Sequence, residues 1–222
     1  MLQEIISNYW WQLLILTITS YLIGNFCAAI FVSKKFIKQD IRQHGSKNPG
    51  TTNMTRVFGI KFGIITLFID LFKALICVLA GKLIFTSLGG DSTGLFAGYF
   101  AGLAVILGHN YPIFFGFKGG KGFASGIGAL IILNPIFTVI TSIVGIVLLL
   151  IVDRMAVFAL SFFLAQAIYH IIIYGYEFWW ISLITILYFL LAIIAHWGNI
   201  IRLIHGEEKP LNLMDKIKNK KD

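Results

Sequence analysis

Three separated stretches of the chain carry side chains suited to holding a phosphate or steering a proton. The first is Asp40-Ile41-Arg42-Gln43-His44-Gly45-Ser46-Lys47-Asn48-Pro49-Gly50-Thr51-Thr52-Asn53-Met54-Thr55-Arg56. Glycines let backbone N–H groups come close to an anion, and hydroxyls and amides donate hydrogen bonds to it. A guanidinium adds a planar fork that matches two phosphate oxygens. Any one of these residues alone reads as ordinary turn chemistry. Gly45, Ser46, Asn48, Gly50, Thr52, Asn53 and Arg56 crowded into one polar island point instead to an anion site.

The second stretch is Gly116-Phe117-Lys118-Gly119-Gly120-Lys121-Gly122, which leads into an apolar run. A lysine in a glycine loop at a helix start combines a point charge, free N–H groups and the helix dipole. It is not a nucleotide-binding P-loop, which has four residues between its first glycine and the Gly-Lys pair and then Ser or Thr. Here Gly122 follows Lys121, so an ATPase is excluded on the motif. The plainer alternative is a membrane-surface turn with snorkelling lysines. In the third stretch His196, Asn199 and Arg202 recur every three residues, which places them near one helix face, and Glu208 follows. Such a stripe at the end of an apolar run either lines a site or meets lipid headgroups.

The elements that position these stretches are membrane spans. The chain of 222 residues is 58% hydrophobic and 13% charged, against roughly 25% charged in a soluble domain. Mean hydropathy is +0.85. This composition excludes a soluble enzyme, a disordered chain and a secreted disulfide scaffold. Continuous rather than alternating apolar runs argue against a β-barrel. The net charge of +8 reflects basic loops on one side of a membrane rather than nucleic-acid binding. Cys27 and Cys77 lie inside apolar runs and read as packing residues, and no metal site is expected. The first thirty-three residues hold no Lys or Arg, so a cleavable leader is not expected.

Apolar runs cover about 10–33, 62–85, 94–115, 122–152, 156–174 and 178–196. The long run 122–152 is interrupted by Asn134-Pro135. Loop 34–61 and the tail 203–222 are both basic and belong on the cytoplasmic side, so an even number of crossings separates them. Dividing 122–152 in two satisfies that parity and keeps Lys118, Lys121 and Arg154 on the same side. The expected fold is one all-α membrane domain, residues 1–222, with seven segments, the N-terminus outside and the C-terminus in the cytoplasm. Its fourth segment, about 122–133, is short, and its cytoplasmic loops lie at about 34–61 and 116–122. All Lys and Arg except Lys73 and Lys82 then share one face. Asp70 and Lys73 fall inside the second segment, where each charge costs about 2.5–3.5 kcal/mol on insertion scales. Their i, i+3 spacing permits a pair, and His109 and Asn110 are placed to face the same cavity. The tryptophans, including Trp10, Trp11, Trp179 and Trp180, read as interfacial anchors.

In this order and at these spacings, the three stretches resemble the bacterial acyl-phosphate-dependent glycerol-3-phosphate acyltransferases. The resemblance runs along nearly the whole chain. It rests on Asp40-Ile41-Arg42, Gly45-Ser46, Asn48, Gly50, Thr52-Asn53 and Arg56, then Phe117 to Gly122, then His196, Asn199, Arg202, Gly206 and Glu208. The chain departs from the family pattern at Asn25-Phe26-Cys27, Lys47, Pro49, Thr51 and Trp197-Gly198.

The resemblance implies acyl transfer from acyl phosphate to the 1-hydroxyl of glycerol 3-phosphate, giving lysophosphatidic acid and phosphate. It implies no cofactor and no metal. It implies an inner-membrane location with the site facing the cytoplasm, membrane lipid around the protein, and a soluble enzyme supplying acyl phosphate. No histidine here has an aspartate five positions on, the pairing that other glycerolipid acyltransferases use as base. Ser46, Arg56, Lys121, His196 and Asn199 are the expected catalytic residues. Gly45, Asn48, Gly50, Thr52, Asn53, Lys118, Gly119, Gly120, Gly122, Arg202 and Glu208 are the expected substrate-binding residues. The alternatives are a transporter of a phosphorylated anion and a lipid-headgroup receptor. A transporter usually shows a polar path across the bilayer and often an inverted repeat, and the sequence displays neither.

Overall fold

The computed structural model describes residues 2–212. Lys216, Lys218, Lys220 and Lys221 of the expected basic tail lie outside these residues. The apolar runs are helices, and no strand occurs among the described residues. Helices satisfy their own backbone polar groups, which lipid cannot do.

Helix α1 (Leu2–Gly24) leads through a break at Asn25–Cys27 into the short α2 (Ala28–Val32), which continues in a wider turn over Ser33–Ile37. A tight turn at Ile41–Gln43 and helix α3 (Thr51–Phe58) follow. Then come α4 (Ile60–Gly89), α5 (Asp91–Asn110), α6 (Phe123–Leu133), α7 (Pro135–Val152), α8 (Met155–Tyr174), α9 (Trp179–Ala195) and α10 (Trp197–Ile204). The stretch expected as a loop at 34–61 is thus largely helical.

Five stretches among the described residues are long and apolar enough to cross a membrane: Leu2–Ile37, Ile60–Gly89, Asp91–Phe115, Pro135–Val152 and Met155–Tyr174. Helices α9 and α10 make a sixth if taken as one span bent by 64°. Helix α6 has 11 residues, about 16 Å of helix, too short to cross a hydrocarbon core of about 30 Å. The run 122–152 does divide at Asn134. Pro135 occupies the first helical position of α7, where its missing N–H is harmless.

Two expectations need correction. The first helix begins at Leu2, well before residue 10, and breaks at Asn25–Cys27 rather than running to residue 33. His196, Asn199 and Arg202 do not lie along one continuous span, because the chain turns at His196 (φ −100°, ψ 9°) and Asn199 and Arg202 belong to α10.

Helix α5 is the hub, packed against α1, α4, α6 and α9. Small residues let it approach its neighbours closely. A Cβ on Gly24 would strike the Val105 carbonyl oxygen, and one on Gly108 would strike that of Tyr21, so α1 and α5 touch backbone to backbone. Large apolar side chains such as Phe68, Phe72, Ile76 and Leu83 on α4 point outward, as a lipid-facing surface requires.

Candidate active site

The first polar island wraps around one buried side chain. Asn53, in the first turn of α3, accepts the Ser46 N–H at 2.9 Å through Oδ1 and donates Nδ2–H to the His44 carbonyl at 3.0 Å. Gly45 has φ +57°, and a Cβ there would meet Asn53 Oδ1, so only glycine fits this close approach. Lys47 has φ +61° without being glycine, which stores local strain. The island is moored at two other points. Cys27 Sγ reaches the Pro49 carbonyl at 3.7 Å. Asp40 accepts from the Arg42 backbone N–H and side chain at 2.7–3.0 Å. The hydrogen bond from the Arg42 side chain holds the Asp40 carboxyl well below the usual carboxylate range. The first bond within α3 runs from Met54 N–H to the Gly50 carbonyl. The N–H groups of Thr51, Thr52 and Asn53 therefore face out of the helix start.

The glycine loop is packed onto the end of α5. Gly119 N–H donates to the Asn110 carbonyl at 3.1 Å and Gly120 N–H to the His109 carbonyl at 3.0 Å. These two N–H groups are therefore engaged within the protein. Both glycines serve close packing: a Cβ on Gly119 would strike the His109 carbonyl oxygen, and one on Gly120 the His109 ring. Gly122 (φ +77°) opens α6, whose first internal bond is Gly126 N–H to the Gly122 carbonyl at 2.7 Å. The N–H groups of residues 123–125 thus remain at the helix start beside Lys121. Lys118 is exposed. Both amide atoms of buried Asn110, next to Gly122, lack a hydrogen-bond partner among the described residues.

The second and third stretches meet directly. Lys121 Nζ donates to Asn199 Oδ1. Asn199 Nδ2 donates to Glu208 Oε1 at 2.7 Å, and Arg202 Nε donates to Glu208 Oε2 at 2.7 Å. Glu208 thereby folds the end of α10 back over Asn199. Burial pushes the Lys121 ammonium down to about 8; the charges of Arg202 and Arg56 push the same way and Glu208 opposes them. Arg56 is thus within electrostatic reach of Lys121, which brings the first stretch to the same region. His196 is buried, donates Nδ1–H to the Ala192 carbonyl at 2.9 Å, and lies within electrostatic reach of Lys121 and Glu208. With that proton on Nδ1, Nε2 carries the lone pair.

Arg56, Lys121, His196, Asn199, Arg202 and Glu208 therefore form one charged neighbourhood. Ser46, Asn48, Gly45 and Gly50 line the neighbouring loop, and the Ser46 side chain is exposed. Ser46 and Arg56 make no hydrogen bond to Lys121, Asn199 or Glu208 among the described residues. No group of three or more metal-ligating side chains occurs among the described residues. Sequence reasoning assigns no site role to Asn25 and Tyr21, which fix the start of the glycine loop. Asn25 Oδ1 accepts the Ile113 N–H, and Tyr21 donates to the Tyr111 carbonyl at 2.8 Å. A lone asparagine in an apolar run is the only signal for the first.

Comparison with known proteins gives one consistent result. Residues 14–206 match the sequence model of a family described as glycerol-3-phosphate acyltransferase. A glycerol-3-phosphate acyltransferase of Finegoldia magna is 38% identical over 199 residues, covering 90% of this chain and 96% of that protein. One from Halalkalibacterium halodurans is 37% identical, covering 89% of this chain and 94% of its own. A crystal structure of PlsY, an integral membrane glycerol 3-phosphate acyltransferase in its glycerol 3-phosphate form, superposes with a TM-score of 0.78 at 30% identity. It covers 93% of this chain and 98% of that one. The lysophosphatidic acid form of PlsY gives a TM-score of 0.76.

Proposed function

Because this chain belongs to the glycerol-3-phosphate acyltransferase family, as a multi-pass membrane acyltransferase of the PlsY type, we propose that it uses acyl phosphate as donor and releases lysophosphatidic acid. Membership in an enzyme family takes the place of the transporter reading. The observation that carries the proposal is the Lys121–Asn199–Glu208–Arg202 chain of hydrogen bonds, which joins two distant segments around a partly buried cation.

The reaction needs little from the protein beyond placement and charge. The 1-hydroxyl oxygen of glycerol 3-phosphate attacks the acyl carbonyl carbon. A new ester C–O bond forms, the bond from acyl carbon to phosphate oxygen breaks, and inorganic phosphate departs with the hydroxyl proton. Phosphate is a good leaving group, so positioning and charge stabilisation supply much of the rate. Lys121, Arg56, Ser46 and the N–H groups at the starts of α3 and α6 hold the two phosphates, with Gly45, Asn48, Gly50, Thr52, Asn53, Lys118 and Gly122 shaping their cradle. Gly119 and Gly120 set the loop against α5. His196 Nε2 accepts the hydrogen bond of the attacking hydroxyl. Asn199, Arg202 and Glu208 hold Lys121 in place. The acyl chain lies between apolar helices, open to lipid.

We also propose seven segments, with α6 as the short fourth, and the N-terminus outside. A single domain is then set in the bacterial inner membrane, and its site faces the cytoplasm, where a soluble enzyme supplies acyl phosphate. The basic residues of loop 34–61 support this sidedness.

The test is direct. Purified protein is assayed with acyl phosphate, acyl-CoA and acyl-carrier-protein donors side by side, with Lys121→Ala and His196→Ala in parallel. The expected result is lysophosphatidate formed from acyl phosphate alone and lost in both variants. Near-normal rates in both variants would refute the site assignment.

A further inference from the structure

The Asp70–Lys73 pair is tied to more of the protein than charge neutralisation requires. Lys73 Nζ lies 2.8 Å from Asp70 Oδ1, as the i, i+3 spacing on α4 permits. The same ammonium donates to the Gly24 carbonyl at 3.1 Å and the Phe26 carbonyl at 2.8 Å, and it stands 2.9 Å from His109 Nδ1. His109 Nδ1 also stands 3.4 Å from Asp70 Oδ1, so the ring faces both members of the pair. Nε2 is the atom against which Gly120 rests.

We propose that Asp70, Lys73 and His109 are positioning residues that hold the glycine loop, and with it the Lys121 ammonium, in register with the other site segments. The Gly24 and Phe26 carbonyls belong to the break where α1 ends, groups that no helix bond satisfies. Lys73 satisfies both, and the first polar island hangs from the same break through the Cys27–Pro49 contact. On the other side, the His109 carbonyl takes the Gly120 N–H and its ring supports Gly120. Ser125 donates to the Asp70 carbonyl at 3.1 Å, which seats the start of α6 on α4. One buried cluster therefore touches the origins of two of the three site segments. An apolar side chain of equal volume at position 73 would fill the space, leave two carbonyls without a donor and deprive buried Asp70 of its counter-charge.

The inference rests on Lys121 being a phosphate ligand, so its test includes a readout that needs no catalysis. Full-length wild-type, Lys73→Met, His109→Ala and His109→Asn proteins are labelled with trace acetic anhydride across pH. Mass spectrometry then gives the titration of Lys121. The charged and titratable groups facing Lys121 are Arg56 from α3, His196 at the α9–α10 corner, and Arg202 and Glu208 beyond it. All are retained in every variant, so a change reports the loop. In Lys73→Met and His109→Ala the titration should move from about 8 toward the ordinary 10.5 by about one pH unit or more, as the ammonium gains solvent. The glycerol 3-phosphate KM should rise about tenfold to a hundredfold, more than kcat falls. His109→Asn, which keeps an acceptor for Lys73, should recover part of both.

An unchanged Lys121 titration and KM in folded His109→Ala and Lys73→Met would overturn the proposal. If Lys73→Met does not fold, His109→Asn and His109→Ala, which leave the ion pair intact, decide in the same way. Near-normal activity of Lys121→Ala would refute the phosphate role of Lys121, while the labelling would still show whether the cluster positions it.

Discussion

Two buried polar clusters sit at different heights on α5, and they are built on opposite plans. The first surrounds Tyr99, midway along the helix. Tyr99 O–H meets His170 Nε2 at 2.7 Å, and His170 Nδ1–H donates to the Gln166 carbonyl at 2.6 Å. Tyr188 O–H donates to the Tyr99 carbonyl at 2.7 Å, Ser182 O–H to the His170 carbonyl at 3.0 Å, and Gln166 Nε2–H to Thr141 Oγ1 at 2.9 Å. No ion pair lies among these groups, and apart from the His170–Gln166 bond within α8 their bonds run from helix to helix. The second cluster, about 15 Å along at the end of α5, contains Asp70, Lys73 and His109 and leads through the glycine loop to Lys121. It is built on the Asp70–Lys73 ion pair with His109 beside it, and these residues hold backbone groups at helix breaks rather than each other alone. Polar groups inside a membrane protein thus divide into those that glue helices and those that aim a site. Charge and contact with broken backbone distinguish the second kind.

The sharpest way to break this distinction is Lys121→Ala. It should lower kcat/KM for glycerol 3-phosphate by about 10²–10³-fold, the scale of losing one preorganised charge donor, with the protein still monodisperse in detergent. A comparable substitution in the Tyr99 cluster should not do so. The next effect is pH dependence. Lys121 loses its charge as pH rises through about 8. In the free enzyme, kcat/KM should therefore fall by about tenfold per pH unit above that value, and the fall should be absent in Lys121→Ala.

Tyr99→Phe should behave the other way round. It leaves His170 Nε2 without a donor and should reduce stability by about 1–2 kcal/mol in a thermal or denaturant melt, with kcat within about twofold of wild type. A large loss of kcat in folded Tyr99→Phe would erase the contrast between the clusters. The smallest effect is expected at Lys47. Glycine there relieves a left-handed backbone at φ +61° and should stabilise the protein by about 1 kcal/mol, read as a small rise in melting temperature.

Much of the site can be read from residue types alone. The glycines, amides and bases of 40–56 and 116–122 stand out because a membrane protein tolerates such residues only where something holds them. The division at Asn134-Pro135 is legible for a similar reason: proline has no backbone N–H to donate to a helix bond, so it marks a helix start. The i, i+3 spacing of Asp70 and Lys73 likewise announces their pairing. The turn at His196 is not legible, since Ala195-His196-Trp197 contains neither glycine nor proline. Periodicity continues His196, Asn199 and Arg202 along one face, whereas the chain bends by 64° and Glu208 closes back on Asn199 and Arg202. Nor does the sequence tell which glycine N–H groups are available. Gly119 and Gly120 look like anion ligands, but α5 takes their N–H groups.

The sequence by itself determined the solvent and the chemistry. An apolar fraction of 58% requires a helical membrane protein, and the glycines, amides and bases gathered in a few polar stretches suit those stretches to an anion. Those properties depend on composition and local order, which the chain carries before it folds. Only the tertiary structure decided which groups meet. Lys121 reaches Asn199 across 78 positions of chain, and Lys73 reaches Gly24 across 49. Such contacts depend on how small residues let α1, α4, α5 and α6 close together, and no local pattern encodes that distance.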